Sequence, residues 1–252
     1  MSIAFGGFLA VIMTAMQDRS FADFIDTAAR MGGGHVTLAH PGYSRRRTLA
    51  HTVPNGESLA DLAMADEDVR HAVARITGQT MLSTARDSQG AAFIAIDPDK
   101  ETERTFALWD GLIAGRRFVG DEKRGIVLGE RLAKRLGVET GKKVIYTLID
   151  KEGEVVAGMA RLSGIIKTGV PGVDGGLCLL PLAQVRELLG YGVEEATAVA
   201  VFVPDSRDSH DVAERLAPLI GEQVSALTWD EAQPQLASFI AMKVGGGRLF
   251  EL

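Results

Sequence analysis

The segment Gly125-Ile126-Val127-Leu128-Gly129-Glu130-Arg131-Leu132-Ala133-Lys134-Arg135-Leu136-Gly137-Val138-Glu139-Thr140-Gly141-Lys142-Lys143-Val144 decides how the chain is read. An apolar run leads into a helix in which Leu132 and Leu136 stand four apart on one face, with Glu130, Arg131, Lys134 and Arg135 on the others. Gly137 is the residue expected just past a helix C-terminus, and the basic pair Lys134 and Arg135 suits the negative end of the helix dipole. A turn over 138–141 then feeds a strand over 144–149. The spacing predicts strand, helix, turn and strand, with no polar cluster aimed at chemistry.

Downstream, a hairpin turns at Asp150-Lys151-Glu152-Gly153 into a strand over 154–166. Residues 168–176 are too glycine-rich for regular structure and read as the most obvious loop. A short strand over 177–180, a helix over 182–189 ended by Gly190, a strand over 198–203, a helix over 209–220 and a strand over 224–229 follow. Upstream, 101–112 reads as a helix, and 80–86 with 91–96 as a hairpin joined at Asp87-Ser88-Gln89-Gly90. Ser58 caps a helix whose apolar positions Leu59, Leu62, Ala63, Val69, Val73 and Ile76 step at threes and fours, with an interruption expected near Asp66. Residues 35–39 form a short alternating strand. Two βα-type halves separated by 99–192 predict an α+β fold: a split βαβ-type layer with an inserted smaller α/β lobe.

The ends carry a different signal. Residues 3–16 hold no charge, yet fourteen residues are too few for a bilayer, which needs about 20. A basic n-region and a cleavage site are missing, so three readings stand: a buried helix, the h-region of an odd signal, or the outer half of a transmembrane helix that starts outside this chain. Asp18, Arg19, Asp23, Asp26 and Arg30 then interleave with Phe21, Phe24, Ile25 and Ala28 as an amphipathic helix that stops at Gly32-Gly33-Gly34. At the other end, Asp230-Glu231-Ala232-Gln233-Pro234 reads as a helix start, followed by an apolar stripe of Leu236, Phe239, Ile240 and Val244. Paired end helices suggest a domain suspended between membrane spans.

Composition and motifs exclude more than they select. The 252 residues are 46% hydrophobic and 24% charged, an ordinary globular balance. A net charge of -6 gives no global attraction to nucleic acid, and the one basic run, Arg45-Arg46-Arg47, reads as solvated surface. Cys178 is the only cysteine, which removes intrachain disulfides and multi-cysteine zinc sites; among Leu177, Leu179 and Leu180 it reads as a small buried apolar residue. His35, His40, His51, His71 and His210 fall into no HxH or HExxH spacing and read as surface or strand-end residues, with His71 and His210 on helices. Carboxylates fall in helix first turns and tight turns, where capping and solvation explain them. No P-loop, GxSxG or SxxK occurs, and Gly32-Gly33-Gly34 precedes a strand instead of following one. No catalytic, cofactor-binding or metal residue is assigned. A soluble α/β enzyme would have to assemble its site from scattered residues such as His35, His51 and Asp174, and a sensing module is a further alternative.

The order and spacing of several short matches nevertheless resemble one family. Asp97-Pro98, Gly115-Arg116, Val127-Leu128-Gly129-Glu130, Leu132-Ala133, Leu136-Gly137-Val138 and Gly141 carry the first part of the pattern. Gly164-Ile165, Thr168-Gly169, Asp174, Leu182-Ala183-Gln184 and Thr228-Trp229-Asp230 carry the rest. Together they resemble the MacB-like periplasmic core domain of FtsX-type ABC transporter permeases, including the lipoprotein-releasing LolC and LolE type. The resemblance implies a Porter-like subdomain over 32–98 and 193–229 and an inserted Sabre-like subdomain over 99–192. It also implies the end of a first transmembrane helix and a stalk over 1–31, and a C-terminal stalk over 230–252. It further implies an extracytoplasmic segment of an inner-membrane permease. Its partners would be an ABC ATPase, a second permease subunit and a periplasmic chaperone or adaptor, with no cofactor. Lipoprotein-releasing LolC permeases carry a long hook in the second hairpin, whereas this hairpin turns in about four residues. The candidate partner-contact loop is therefore Thr168, Gly169, Val170, Pro171, Gly172, Val173 and Asp174.

Overall fold

The computed structural model describes residues 22–43, 48–119, 124–234 and 237–238. A helix over 22–30 (α1) leads to strand β1, Val36–Ala39, then helix α2, Gly56–Met64, and two long strands, β2, His71–Ser83, and β3, Ser88–Ile96. A 3-10 turn over Ala107–Gly111 runs into β4, Leu112–Gly115. The segment that opened the reading becomes β5, Gly125–Gly129, α3, Glu130–Leu136, and β6, Lys143–Ile149, which forms a hairpin with β7, Val155–Ile166. Then come α4, Pro171–Gly176, β8, Leu177–Pro181, α5, Leu182–Leu189, β9, Ala198–Phe202, α6, Ser209–Leu216, β10, Ser225–Thr228, and α7, Trp229–Ala232.

The strands join in the order β10-β1-β9-β2-β3-β8-β5-β7-β4, with β6 pairing β2 and β7 off this path. β2 holds the two ends of that order together. Its first five residues pair with β9, from His71 opposite Phe202 to Arg75 opposite Ala198. The remainder pairs with β3, from Ile76 opposite Ala95 to Ser83 opposite Ser88. Among the described strands, β3 with β8 and β5 with β7 are the parallel pairs.

Among the described residues, three large apolar clusters fill the layers. Leu59 and Ala63 of α2 and Val212 and Leu216 of α6 pack on Val36, Leu38, Val199 and Val201. Leu132 and Leu136 of α3 and Val185 and Leu189 of α5 pack on Leu82, Phe93, Leu128, Tyr146 and Leu162. Phe106, Leu108, Trp109 and Phe118 pack with Ile94, Ile96, Val127, Ile166 and Leu179. The second of these is the core expected from the i, i+4 leucines. The mixed α/β fold agrees with the fold class read from sequence at that coarse level.

Two glycines fix the central unit. Gly137 closes α3 at φ 60, the left-handed position its sequence context required, with its N–H and its successor's bonded back to Lys134 and Ala133. Gly129, at the N-cap of α3, lies against the backbone of Asp174, and a Cβ there would collide with the Asp174 carbonyl.

Several expectations are corrected. The helix starting near Ser58 ends at Met64, and Val73 and Ile76 belong to β2. Residues 73–76 are buried in succession, so this strand shows no polar alternation and its apolar steps imitate a helix. The first hairpin is present, but it turns at 84–87, where the Thr84 N–H donates to the Asp87 carbonyl at 2.9 Å. The helix expected over 101–112 is absent: Thr102 and Thr105 fold a turn on each other, and Phe106 and Trp109 drop into the third cluster. Residues 171–176 form a short helix despite their glycines, started by Pro171 at its first turn. The helix expected over 209–220 stops at Leu216 and tightens to 3-10 at Pro218. His71 opens β2 instead of lying on a helix. The charge-free stretch 3–16, Arg45 to Arg47 and the stripe of Leu236, Phe239, Ile240 and Val244 lie outside the described residues.

Replacing Gly129 by Ala forces the Asp174 backbone away from α3 and is expected to lower stability by about 1–3 kcal/mol, the usual cost of overpacking. Lys134→Ala, which removes an exposed i, i+4 pair with Glu130, leaves it close to unchanged. Denaturant midpoints of the two variants read the difference directly. Equal midpoints would refute the close approach.

Candidate functional site

Where β2 changes partner, it carries an arginine. Arg75 is 1% exposed, and Glu101 meets it with both oxygens, Nε to Oε1 at 2.6 Å and Nη2 to Oε2 at 2.8 Å. Nη2 also donates to the Thr105 carbonyl at 2.9 Å, and Nη1 to the Gly32 carbonyl just beyond α1. The guanidinium lies 5.1 Å from the Phe106 ring centroid and 5.5 Å from that of Phe202. Glu101 accepts from Thr105 Oγ1 at 2.6 Å. A buried charge without such partners would be very costly, so this clasp ties α1, β2 and the 101–106 turn into one polar knot. Sequence reasoning missed it. The available signal was an arginine set inside the apolar run Val73, Ala74, Ile76.

The chain enters and leaves the sheet side by side. β1 and β10 are antiparallel neighbours, with Val36 opposite Thr228, and the Trp229 N–H donates to the His35 carbonyl at 2.9 Å. Thr228 and Glu231 form a capping box that starts α7 there. The 22–30 helix and α7 therefore meet the sheet at adjacent points. Between their bases opens a cavity of about 310 Å³, with Ala28 and Met31 on one side, Ala232 and Gln233 on the other, and Arg75 among its lining.

The loop chosen from sequence is anchored at one residue. Asp174 is 3% exposed; its carboxylate accepts from the Thr168 N–H at 2.7 Å, Thr168 Oγ1 at 2.9 Å and the Gly169 N–H at 3.1 Å. Burial pushes the carboxyl up, but those donors outweigh it and hold the group below the ordinary carboxylate range. Gly169, Val170, Pro171 and Gly172 are exposed at the tip, while Thr168 and Val173 are half-buried.

The histidines go separate ways. His35, expected at the surface or a strand end, is 2% exposed, accepts from the Val203 N–H at Nδ1 and stands 3.6 Å from Asp26 through Nε2. Burial lowers its pKa below the ordinary 6.5, with Asp26 opposing this and Arg30 adding to it. His51 stacks on His40 at 4.6 Å, and His210 is exposed on α6. Among the described residues, His35 meets Val203 and Asp26, His51 stacks on His40, and Asp174 holds Thr168 and Gly169, so these contacts do not draw the scattered enzyme site together. Cys178 is buried on β8, as its leucine setting indicated, and burial pushes its thiol up. Among the described residues, no group of three or more His, Cys, Asp or Glu is placed to hold a metal ion.

The fold is a mixed α/β sheet domain whose entering and leaving strands, β1 and β10, are antiparallel neighbours. The chain belongs to the MacB-like periplasmic core domain family, whose model matches residues 1–219. It is similar to the lipoprotein-releasing system transmembrane protein LolC of Xylella fastidiosa strain Temecula1, 26% identical over 187 residues, covering 72% of this chain and 45% of that protein. LolC of strain 9a5c is 25% identical over the same length, with the same coverage. The chain thus spans about half the length of the curated relatives it matches. Among solved structures, the extracellular domain of the ABC-type transporter YknZ from Gram-positive bacteria aligns with a TM-score of 0.54 at 13% identity, covering 77% of this chain and 99% of that one. The periplasmic region of MacB from Actinobacillus actinomycetemcomitans aligns at 0.54 and 17% identity, covering 81% and 94%. At such identities the two structures speak for the fold alone.

Breaking the clasp from one side, Arg75→Met or Glu101→Leu, is expected to cost about 3–5 kcal/mol, while the double variant loses clearly less than the sum. Additive losses in urea denaturation would show the pair to be uncoupled. Stability is also expected to fall as pH drops through 6.5, because the unfolded chain takes up the His35 proton before the folded one does. His35→Gln should flatten that part of the curve; an unchanged slope between pH 7 and 5 would exclude the assignment.

Proposed function

We propose that this chain is the extracytoplasmic domain of an ABC transporter permease, held between its first and second membrane spans and passing ATP-driven motion of those spans to a substrate or partner. The observation that carries the reading is the antiparallel pairing of entry and exit, β1 on β10 with Trp229 bonded to His35, which sets both end helices at one place on the sheet. Family membership supports the extracytoplasmic location and an inner-membrane permease as the parent. No described helix is long and apolar enough to cross a membrane, so the spans belong to residues outside the described set or outside this chain.

In this reading 1–31 and 230–252 are the stalks, 32–98 with 193–229 the Porter-like part, and 99–192 the Sabre-like part. Motion of α1 reaches the sheet through the Gly32 carbonyl on Arg75, and from there the 101–106 turn through Glu101. The parent protein works with an ABC ATPase and a second permease subunit. The exposed tip Gly169 to Gly172, braced by Asp174, meets a periplasmic chaperone or adaptor. The LolC relatives favour a lipoprotein as cargo over other lipids or peptides.

Alkaline phosphatase inserted in the 150–154 turn of the intact protein is expected to be active, as it is only outside the cytoplasm; an inactive, stable fusion would reject the location. Joining Ala28→Cys to Ala232→Cys with a bifunctional maleimide is expected to lower ATP turnover by the purified transporter. Turnover unchanged by the cross-link would reject transmission through the stalk bases.

A further inference from the structure

The cavity between the helix bases has a floor that can be traced through the sheet register. Leu227 of β10 lies opposite Thr37 of β1, and Thr37 opposite Ala200 of β9. Across the seam, Thr77 of β2 faces Ile94 of β3, and Gln79 faces Ala92, which pairs in turn with Leu177 of β8. All of these line the cavity, which therefore crosses six strands at the place where β2 changes partner. Its lining includes the small Ala198, Ala200 and Ala92 beside Tyr43, Phe93 and Ile94, where packing of a helix on a sheet ordinarily wants branched side chains. The three alanines leave room in a space that Met31, Leu177 and Leu227 also line.

The charge in this space is already satisfied. Among the described residues, Arg75 is the one charged member of the lining, and four of its five N–H donors go to Glu101, Thr105 and Gly32. An anion entering the cavity would compete with Glu101 for the guanidinium, and a cation would meet that guanidinium. Tyr43 and Thr77 are hydrogen-bonded to each other, and Thr37 donates to the Gly33 carbonyl at 2.8 Å. The carboxamides of Gln79 and Gln233 are what the lining offers a polar end group. An apolar cavity of about 150 Å³ is known to admit benzene or xenon, so one of about 310 Å³ admits a two- or three-ring molecule or a medium alkyl chain.

We infer that the seam cavity is a binding site for an uncharged, predominantly apolar small molecule, which enters between the bases of α1 and α7 and rests on the alanine floor of β9 and β3. Occupancy fixes the spacing of the two helix bases, since Ala28 and Met31 contact the molecule from one side and Ala232 and Gln233 from the other. The inference stands apart from the transporter reading, because it needs only the cavity and its lining.

The test uses two dyes that share one ring skeleton. The purified 252-residue chain, in detergent-free buffer, is titrated with uncharged N-phenyl-1-naphthylamine and with its sulfonated counterpart 8-anilinonaphthalene-1-sulfonate, and fluorescence is followed. Saturable binding of the uncharged dye is expected, with the sulfonate at least about tenfold weaker, a difference of about 1.4 kcal/mol. Ala200→Phe places a ring in the cavity and should weaken the uncharged dye at least about tenfold, with the melting temperature unchanged or raised. Should that variant not fold, Ala92→Leu fills the cavity from the β3 side and serves the same purpose. Equal affinity for the two dyes, or full affinity in a folded filled-cavity variant, would overturn the inference. Loss of the phosphatase or cross-linking result above would leave it standing.

Discussion

Everything in this domain turns on the pairing of Arg75 with Glu101. A strand that leaves one set of neighbours and joins another has to change its twist and its burial at the crossing point, and β2 makes that change between residues 75 and 76. An apolar side chain would fill the place as well, and buried ion pairs are often no more stable than hydrophobic replacements. What the pair adds is direction: a bidentate fork can be satisfied in one arrangement only, with Gly32, Thr105, Phe106 and Phe202 all in position. The end of α1 is thereby fixed to the centre of the sheet by a polar contact.

In the proposed transmission role, the adjacent entry and exit would let that contact carry motion. A domain strung along a chain between distant ends would stretch when its ends moved. Here β1 and β10 lie side by side, so under the proposed transmission role a displacement of the end helices would shear two neighbouring strands above the seam. The cavity lies under that point, and its small side chains leave the helix bases with little rigid packing there. The 168–174 loop is placed on the other part of the sheet, with its base tied by Asp174 and its tip in solvent.

Much of the fold was legible where local signals agreed with tertiary ones. Leu132 and Leu136 at helical spacing, Gly137 after them, and Leu182 to Leu189 closed by Gly190 all lie where their chemistry puts them. The reading failed where a segment was buried on both sides or recruited by a distant partner. Val73 to Ile76 lost the alternation that marks a strand because each is covered on its own face. Residues 101–106 look helical in isolation, but Glu101 is taken by an arginine 26 residues away. The glycines of 172–176 concealed a short helix because Asp174 gathers three donors from the preceding turn, a contact that composition does not register. The clasp was hidden for the same reason, and the family pattern was legible because its glycines and leucines mark turns and cores.

The shared strand also dictates where this chain can change in length. Turns such as 84–87 and 150–154 lie outside the pairing of β2 with its neighbours, and residues can be gained or lost there without altering which side chains face inward. One residue added between Arg75 and Ile76 would turn over everything from Ile76 to Ser83, sending Leu82 to solvent and Met81 into the core beside Tyr146, and would separate the arginine from the strand it anchors. Among descendants of such a domain, insertions are free to accumulate in loops and hairpin tips, whereas the thirteen residues of β2 are held to a fixed count.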